Sequence, residues 1–421
     1  MSTLKQAKEY FFQLAPIFKL EPENEDTITA EFLDEHFRDI AAIQGLDPDS
    51  AYVQQLKEAI EKSLRDVDER VFSTTMSSEA YYLKEAALEI EQAIQRRGIE
   101  LPSKPYFGIL YTGCVNGQAI RIPDTQECII ALHSGTLKLF HQISDLISYL
   151  LPVVSEDGGF EFLCDVPDHE LIDRWKAEIH KKPEAIEQLI LIVLSYLEPH
   201  KQISQKLIRK DTPGRFKIAS NLAAGARLFL IGHEYGHIVS NHRTSPKELT
   251  KIINNGNTSI SLIEQNWDRE FEADSCGGNF AIGAMLHAIK QLEHCVVATD
   301  TFFTSLHLLE MCRDISVGKY LVWSDSDYRE PGWSDTHPPI VLRRDNIFAH
   351  LRATFGEDLR ASEEVCKYIR FGLRCLFESA QPLLIPKRKH MFLSSMGLDR
   401  EKSAELLRLL GTTNTEGKID S

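Results

Sequence analysis

The stretch LFLIGHEYGHIVSNH, residues 228–242, sets His233, Glu234 and His237 at the end of an apolar run. An α-helix turns once every ~3.6 residues, so His233 and His237 project from one face, a turn apart. Two imidazoles placed this way can reach one zinc ion at ~2.0–2.1 Å. Glu234 lies beside the first histidine, where it can take a proton from a zinc-activated water and pass it to a leaving amine. Gly236 leaves room for close packing behind the ligands. On this motif alone the bland reading, an amphipathic helix that happens to carry histidines, stays open.

A second helix answers it. REFEADS, residues 269–275, carries Glu270 and Asp274 at i and i+4, on one face. A carboxylate is a good third ligand for a hydrolytic His₂Glu zinc site, in which the fourth position is left to water. Asp274 can accept a hydrogen bond from the distal ring N–H of a ligand histidine, His233 being the expected one, and so set its tautomer. Glu272 would point roughly 200° away from Glu270, which makes Glu270 the better ligand. The third element is WSDTHPPIVLRRDNI, residues 333–347. His337, held by a proline-stiffened loop that leads into a helix near Ile340, could donate a hydrogen bond to the oxyanion of a tetrahedral intermediate. Arg343 could anchor that loop through a carboxylate or a helix end. His242 lies about 140° around the helix from His237 and reads as a helix-end cation, not a ligand.

The order HEYGH, then EFEAD, then THPPIVLR resembles the HtpX-like gluzincin peptidases, and in style the Lit phage-exclusion peptidase. The resemblance runs from residue 233 to 343 through three ordered motifs, and more loosely through RIPDTQECIIALHSGTLKLFHQISDLISYL upstream; the first 100 and last 70 residues lie outside it. It implies a zinc endopeptidase with a zincin-type cleft. His233, His237 and Glu270 would hold Zn²⁺, Glu234 would be the general base, Asp274 would orient a ligand and His337 would stabilise the oxyanion. Two departures stand out. The HtpX-like enzymes are usually membrane proteins, whereas this chain has no span; and Arg344 replaces the isoleucine that follows the family arginine at the position of Arg343. Lit-type peptidases act on elongation factor Tu in phage-infected cells, which implies a role in phage defence but does not identify this chain's substrate.

The rest of the chain sets the frame. With 421 residues, 43% hydrophobic and 26% charged, it has the composition of a soluble globular protein. No apolar run reaches the ~18 residues of a membrane helix, and the N-terminus lacks the basic and apolar regions of a secretory signal. A net charge of −15 argues against nucleic acid as a partner. The eight scattered cysteines, with no C-x-x-C pair, read as buried thiols of a cytoplasmic protein.

Helical spacing marks 1–100 as an acidic helical region, with one stripe at Tyr52, Leu56, Ile60 and Leu64 and another in 77–99 that stops at Gly98. PYFGILYTG, GQAIRI and ECIIALH read as strands of a small antiparallel sheet, with CIIALH (128–133) either an edge on which an extended substrate could add or an ordinary core strand. Helices are expected over 135–151, continuously over 168–199, over 260–293 and 296–320, and beyond 340 to about 410. The segments 156–168, 241–259 and 321–339 read as loops. The expected fold is therefore α+β: a mostly helical zincin-type metallopeptidase domain at 101–345, an appended helical N-terminal region at 1–100, C-terminal helices at 346–410, and a disordered tail at 411–421.

The functional expectation is a zinc-dependent endopeptidase that cuts an intracellular protein of unknown identity, with no nucleic-acid or membrane partner. Two other classes stay open: a metal-stabilised interaction protein without turnover, and a zinc hydrolase of a small molecule.

Overall fold

The computed structural model describes residues 3–14, 71–72, 78–110, 115–122, 125–152, 168–197, 212–241, 260–316 and 338–384, with single positions between 47 and 58. In chain order these form α1 (Thr3–Leu14), β1 (Val71–Phe72), α2 (Ser78–Arg96), β2 (Tyr106–Leu110), β3 (Gly117–Arg121), β4 (Cys128–His133), α3 (Ser134–Leu150), α4 (Asp168–Lys181) and α5 (Glu184–Leu197). Then follow α6 (Pro213–Val239), α7 (Ile260–Ile289), α8 (Leu292–Ser316), α9 (Ile340–Phe355), a 3₁₀ turn at Gly356–Leu359, and α10 (Arg360–Leu384). The described residues are mostly helical, with one small sheet. Several expectations fall outside the described residues: the Tyr52–Leu64 stripe, the three loops apart from a few residues at their ends, residues 385–410 and the tail.

The sheet is mixed rather than antiparallel. Its order is β1-β2-β4-β3; β1 runs parallel to β2 and β2 to β4, while only β3 and β4 are antiparallel. The β3–β4 hairpin closes through Ile122 N–H donating to Glu127 O at 2.9 Å. It folds back so that β4 lies between β3 and β2, next to a strand whose direction it shares. Of the two readings of CIIALH the core strand holds: β4 is an inner strand paired on both sides, and β3 is the outer strand among those described.

Both faces of the sheet are covered. Cys128, Ile130 and Leu132 of β4 enter the main core, while Ile129 and Ala131 face the other way with Ala7 and Phe11 of α1. Phe11 lies directly over Gly108, where a Cβ would sit 2.0 Å from its ring. Alternation along β4 thus gives each face its own apolar set.

α6 begins on Thr212, whose hydroxyl accepts from Arg215 N–H, with Pro213 in the first turn. It ends where Asn241 takes a left-handed φ of 58°, a conformation asparagine tolerates. α4 and α5 are two helices where one was expected. Pro183 breaks the run, because it has no N–H to donate and its ring clashes with the preceding turn. α2 of the N-terminal region contributes Leu83, Ala86, Ile90, Ala93 and Ile94 to the same core as α6, α7 and α8.

Candidate metal centre

α6 and α7 touch backbone to backbone. A Cβ at Gly277 would meet His233 N at 2.6 Å, one at Gly236 would meet Ala273 O at 2.7 Å, and one at Gly232 would meet Gly277 O at 2.9 Å. Helix separation is set by the side chains at the contact, so glycines here let α7 bring its acidic face right up to the histidines of α6. The sequence reading singled out Gly236; the spacing of Gly232 and Gly236, with Gly277 opposite, was the fuller signal.

The three expected ligands converge. His233 Nε2 and His237 Nε2 lie 3.1 Å apart, His233 Nε2 is 3.5 Å from Glu270 Oε2, and His237 Nε2 is 3.4 Å from Glu270 Oε1. Donors bound at ~2.0–2.1 Å to a tetrahedral ion stand roughly 3.3 Å from one another; the two imidazoles and the Glu270 carboxylate, which offers a different oxygen to each, approach at separations of that order. Among the described residues this is the group of histidine, cysteine and carboxylate side chains that could hold a metal ion. Glu272 points elsewhere: it is exposed and accepts a hydrogen bond from Ser240.

Asp274 and Arg343 lie behind the donors. Asp274 is fully buried, and its Oδ1 accepts the His233 Nδ1–H at 2.9 Å, which leaves the Nε2 lone pair directed at the other two ligands. Arg343, from the first turn of α9, meets a carboxylate, one of the two anchors the sequence allowed it. It donates to Asp274 through Nε at 2.8 Å and Nη2 at 2.7 Å, a bidentate pair, and the same Nη2 lies 3.4 Å from Glu270 Oε2.

Burial disfavours a charged His233, yet the hydrogen bond to Asp274 and the charges of Asp274 and Glu270 raise its pKa overall. Burial also pushes against ionised Asp274, but the Arg343 guanidinium and His233 hold its carboxyl below the usual range. A proton and a metal ion therefore compete for His233.

Glu234 is buried, and burial pushes its carboxyl up from the usual carboxylate range. Among the described residues its Oε2 has no hydrogen-bond partner. On its other side β3 comes close, since a Cβ at Gly117 would stand 3.2 Å from Glu234 Oε1. The contact between the general-base candidate and the edge strand was missed in the sequence; Gly117 at the start of a strand was its only trace. Also missed was Glu91 of α2, which accepts a buried hydrogen bond from Tyr235 at 2.8 Å and pairs with Lys104 at 3.1 Å. His337 and His242 lie outside the described residues, while the helix expected after His337 does begin at Ile340.

Among the described residues no helix is long and apolar enough to cross a membrane. In comparisons with known proteins the chain matches no family model, no curated protein and no solved structure.

Proposed function

We propose that the chain is a zinc-dependent endopeptidase of zincin type, with His233, His237 and Glu270 as ligands and Glu234 as general base. The observation that carries this reading is the convergence of three side chains, His233, His237 and Glu270, whose nearest donor atoms lie 3.1–3.5 Å apart, beside a buried Glu234 oxygen with no hydrogen-bond partner among the described residues. The donor set, two imidazoles and one carboxylate, is that of hydrolytic zinc sites. Charge points the same way: the carboxylates of Glu234, Glu270 and Asp274 against the single guanidinium of Arg343 leave two negative charges, which one divalent cation offsets.

Zinc at this site would supply Lewis acidity to a water molecule and to the substrate carbonyl. Glu234 takes the proton of the attacking water and returns it to the leaving amine nitrogen. Asp274 keeps His233 in the tautomer that presents Nε2. His337 carries the role of donor to the carbonyl oxygen as charge develops there, on the strength of the sequence pattern.

An extended peptide is the favoured substrate because the edge strand β3 passes beside Glu234, and its backbone offers a ladder to a chain laid along it. The likeness of the three motifs to the HtpX-like and Lit-type peptidases supports the same reading, and a cytoplasmic protein target with a role in phage defence is proposed on that likeness alone.

The test is to incubate a proteome-derived peptide library with zinc-loaded wild type and with Glu234→Gln, and to identify new termini. New termini from wild type that are absent with Glu234→Gln support the proposal. The same termini from both proteins, or none from a zinc-loaded wild type, overturn it.

A further inference from the structure

Arg343 sits where it can do more than hold Asp274. The side chain is buried, and its Nη2 reaches Asp274 Oδ1 at 2.7 Å and Glu270 Oε2 at 3.4 Å. One guanidinium thus spans the carboxylate that orients His233 and the carboxylate that stands as third ligand. These two anions lie one turn apart on α7, in an interior that screens their repulsion poorly. The Glu270 oxygen that Arg343 approaches is also the one 3.5 Å from His233 Nε2, so the guanidinium reaches the same carboxylate that would hold the metal.

Resting on the metal-site reading above, we propose that Arg343 is an internal counter-ion that keeps Glu270 and Asp274 in place when the metal is absent. The ligand set is then preformed, and the fold does not depend on the metal. Arg343 is in this sense a positioning residue. Removing one partner of a buried ion pair leaves the other uncompensated, which is costly. In the metal-free protein that cost falls on two carboxylates. In the loaded protein the bound cation faces Glu270 and relieves part of it. Loss of Arg343 therefore hurts the metal-free state more than the loaded one. If Arg343 merely pinned α9 against α7, both states would suffer equally.

The experiment is thermal unfolding of the full chain as wild type, Arg343→Met and Arg343→Lys, each loaded with zinc and after exhaustive chelation, with bound zinc measured in parallel. Chelated wild type is expected to keep a cooperative transition. Arg343→Met is expected to lose roughly 5 °C more in Tm when chelated than when loaded. Arg343→Lys keeps the charge but not the planar fork, and falls between the two. Equal losses in both states overturn the proposal, as does a chelated wild type with no cooperative transition. Should Arg343→Met not fold in either state, Arg343→Lys decides: a larger deficit on chelation supports the proposal and an equal deficit overturns it. A wild type that takes up no zinc would sink the metal-site reading, and this proposal with it; zinc uptake with equal losses would sink this proposal alone.

Discussion

His233 is held from three directions: Asp274 accepts its Nδ1–H at 2.9 Å, Phe229 stacks beside its ring with centroids 6.5 Å apart, and Gly277 lets α7 press against its backbone. The ligand pair itself was legible in the sequence, because i and i+4 share a face in any helix. Glu270 and Asp274 were legible for the same reason. For Arg343 a carboxylate partner was legible but not which one, since that depends on how α9 crosses α7 and no local pattern encodes that crossing. Asp274→Asn tests this scale. The variant keeps an acceptor for His233 but removes the charge that Arg343 pairs with. Metal affinity should fall about 10- to 100-fold with little change in helix content. Competition against a zinc chelator reads the affinity, and an unchanged constant would show that Asp274 does not tune the site.

At the level of elements, the site exists because α6 and α7 approach through glycine. Gly277→Ala places a methyl 2.6 Å from His233 N, against backbone that cannot move aside as a flexible side chain would. A stability loss of about 1–3 kcal/mol is expected from such overpacking, together with weaker metal binding, because the helix carrying both histidines must shift. Denaturant unfolding and zinc titration check the two effects. A stable variant with wild-type affinity would mean that the helix spacing does not control the site. The helices and strands were readable from apolar periodicity and from turn residues such as Gly98, which takes a φ of 70° after α2. The strand order was not. Turn chemistry reports the β3–β4 hairpin, but the parallel pairing of β2 with β4 is a contact between segments that no local signal links.

Across the whole molecule, residues distant in the chain close around one centre. α1 covers the far face of the sheet, and α2 backs α6 through the buried Tyr235–Glu91 hydrogen bond. Arg97, at the end of α2, donates to Asn279 O on α7. Composition separated α2 from the motif helices, because an acidic amphipathic helix looks the same whether it docks on its own domain or on another. The central claim is that His233, His237 and Glu270 form one metal site. It is tested most directly by elemental analysis of metal per chain in wild type, His237→Ala and Glu270→Ala. The account predicts about one zinc per wild-type chain, lost in both variants while their helix content is retained. A wild type that holds no metal after zinc reconstitution, or variants that bind it as the wild type does, would contradict it.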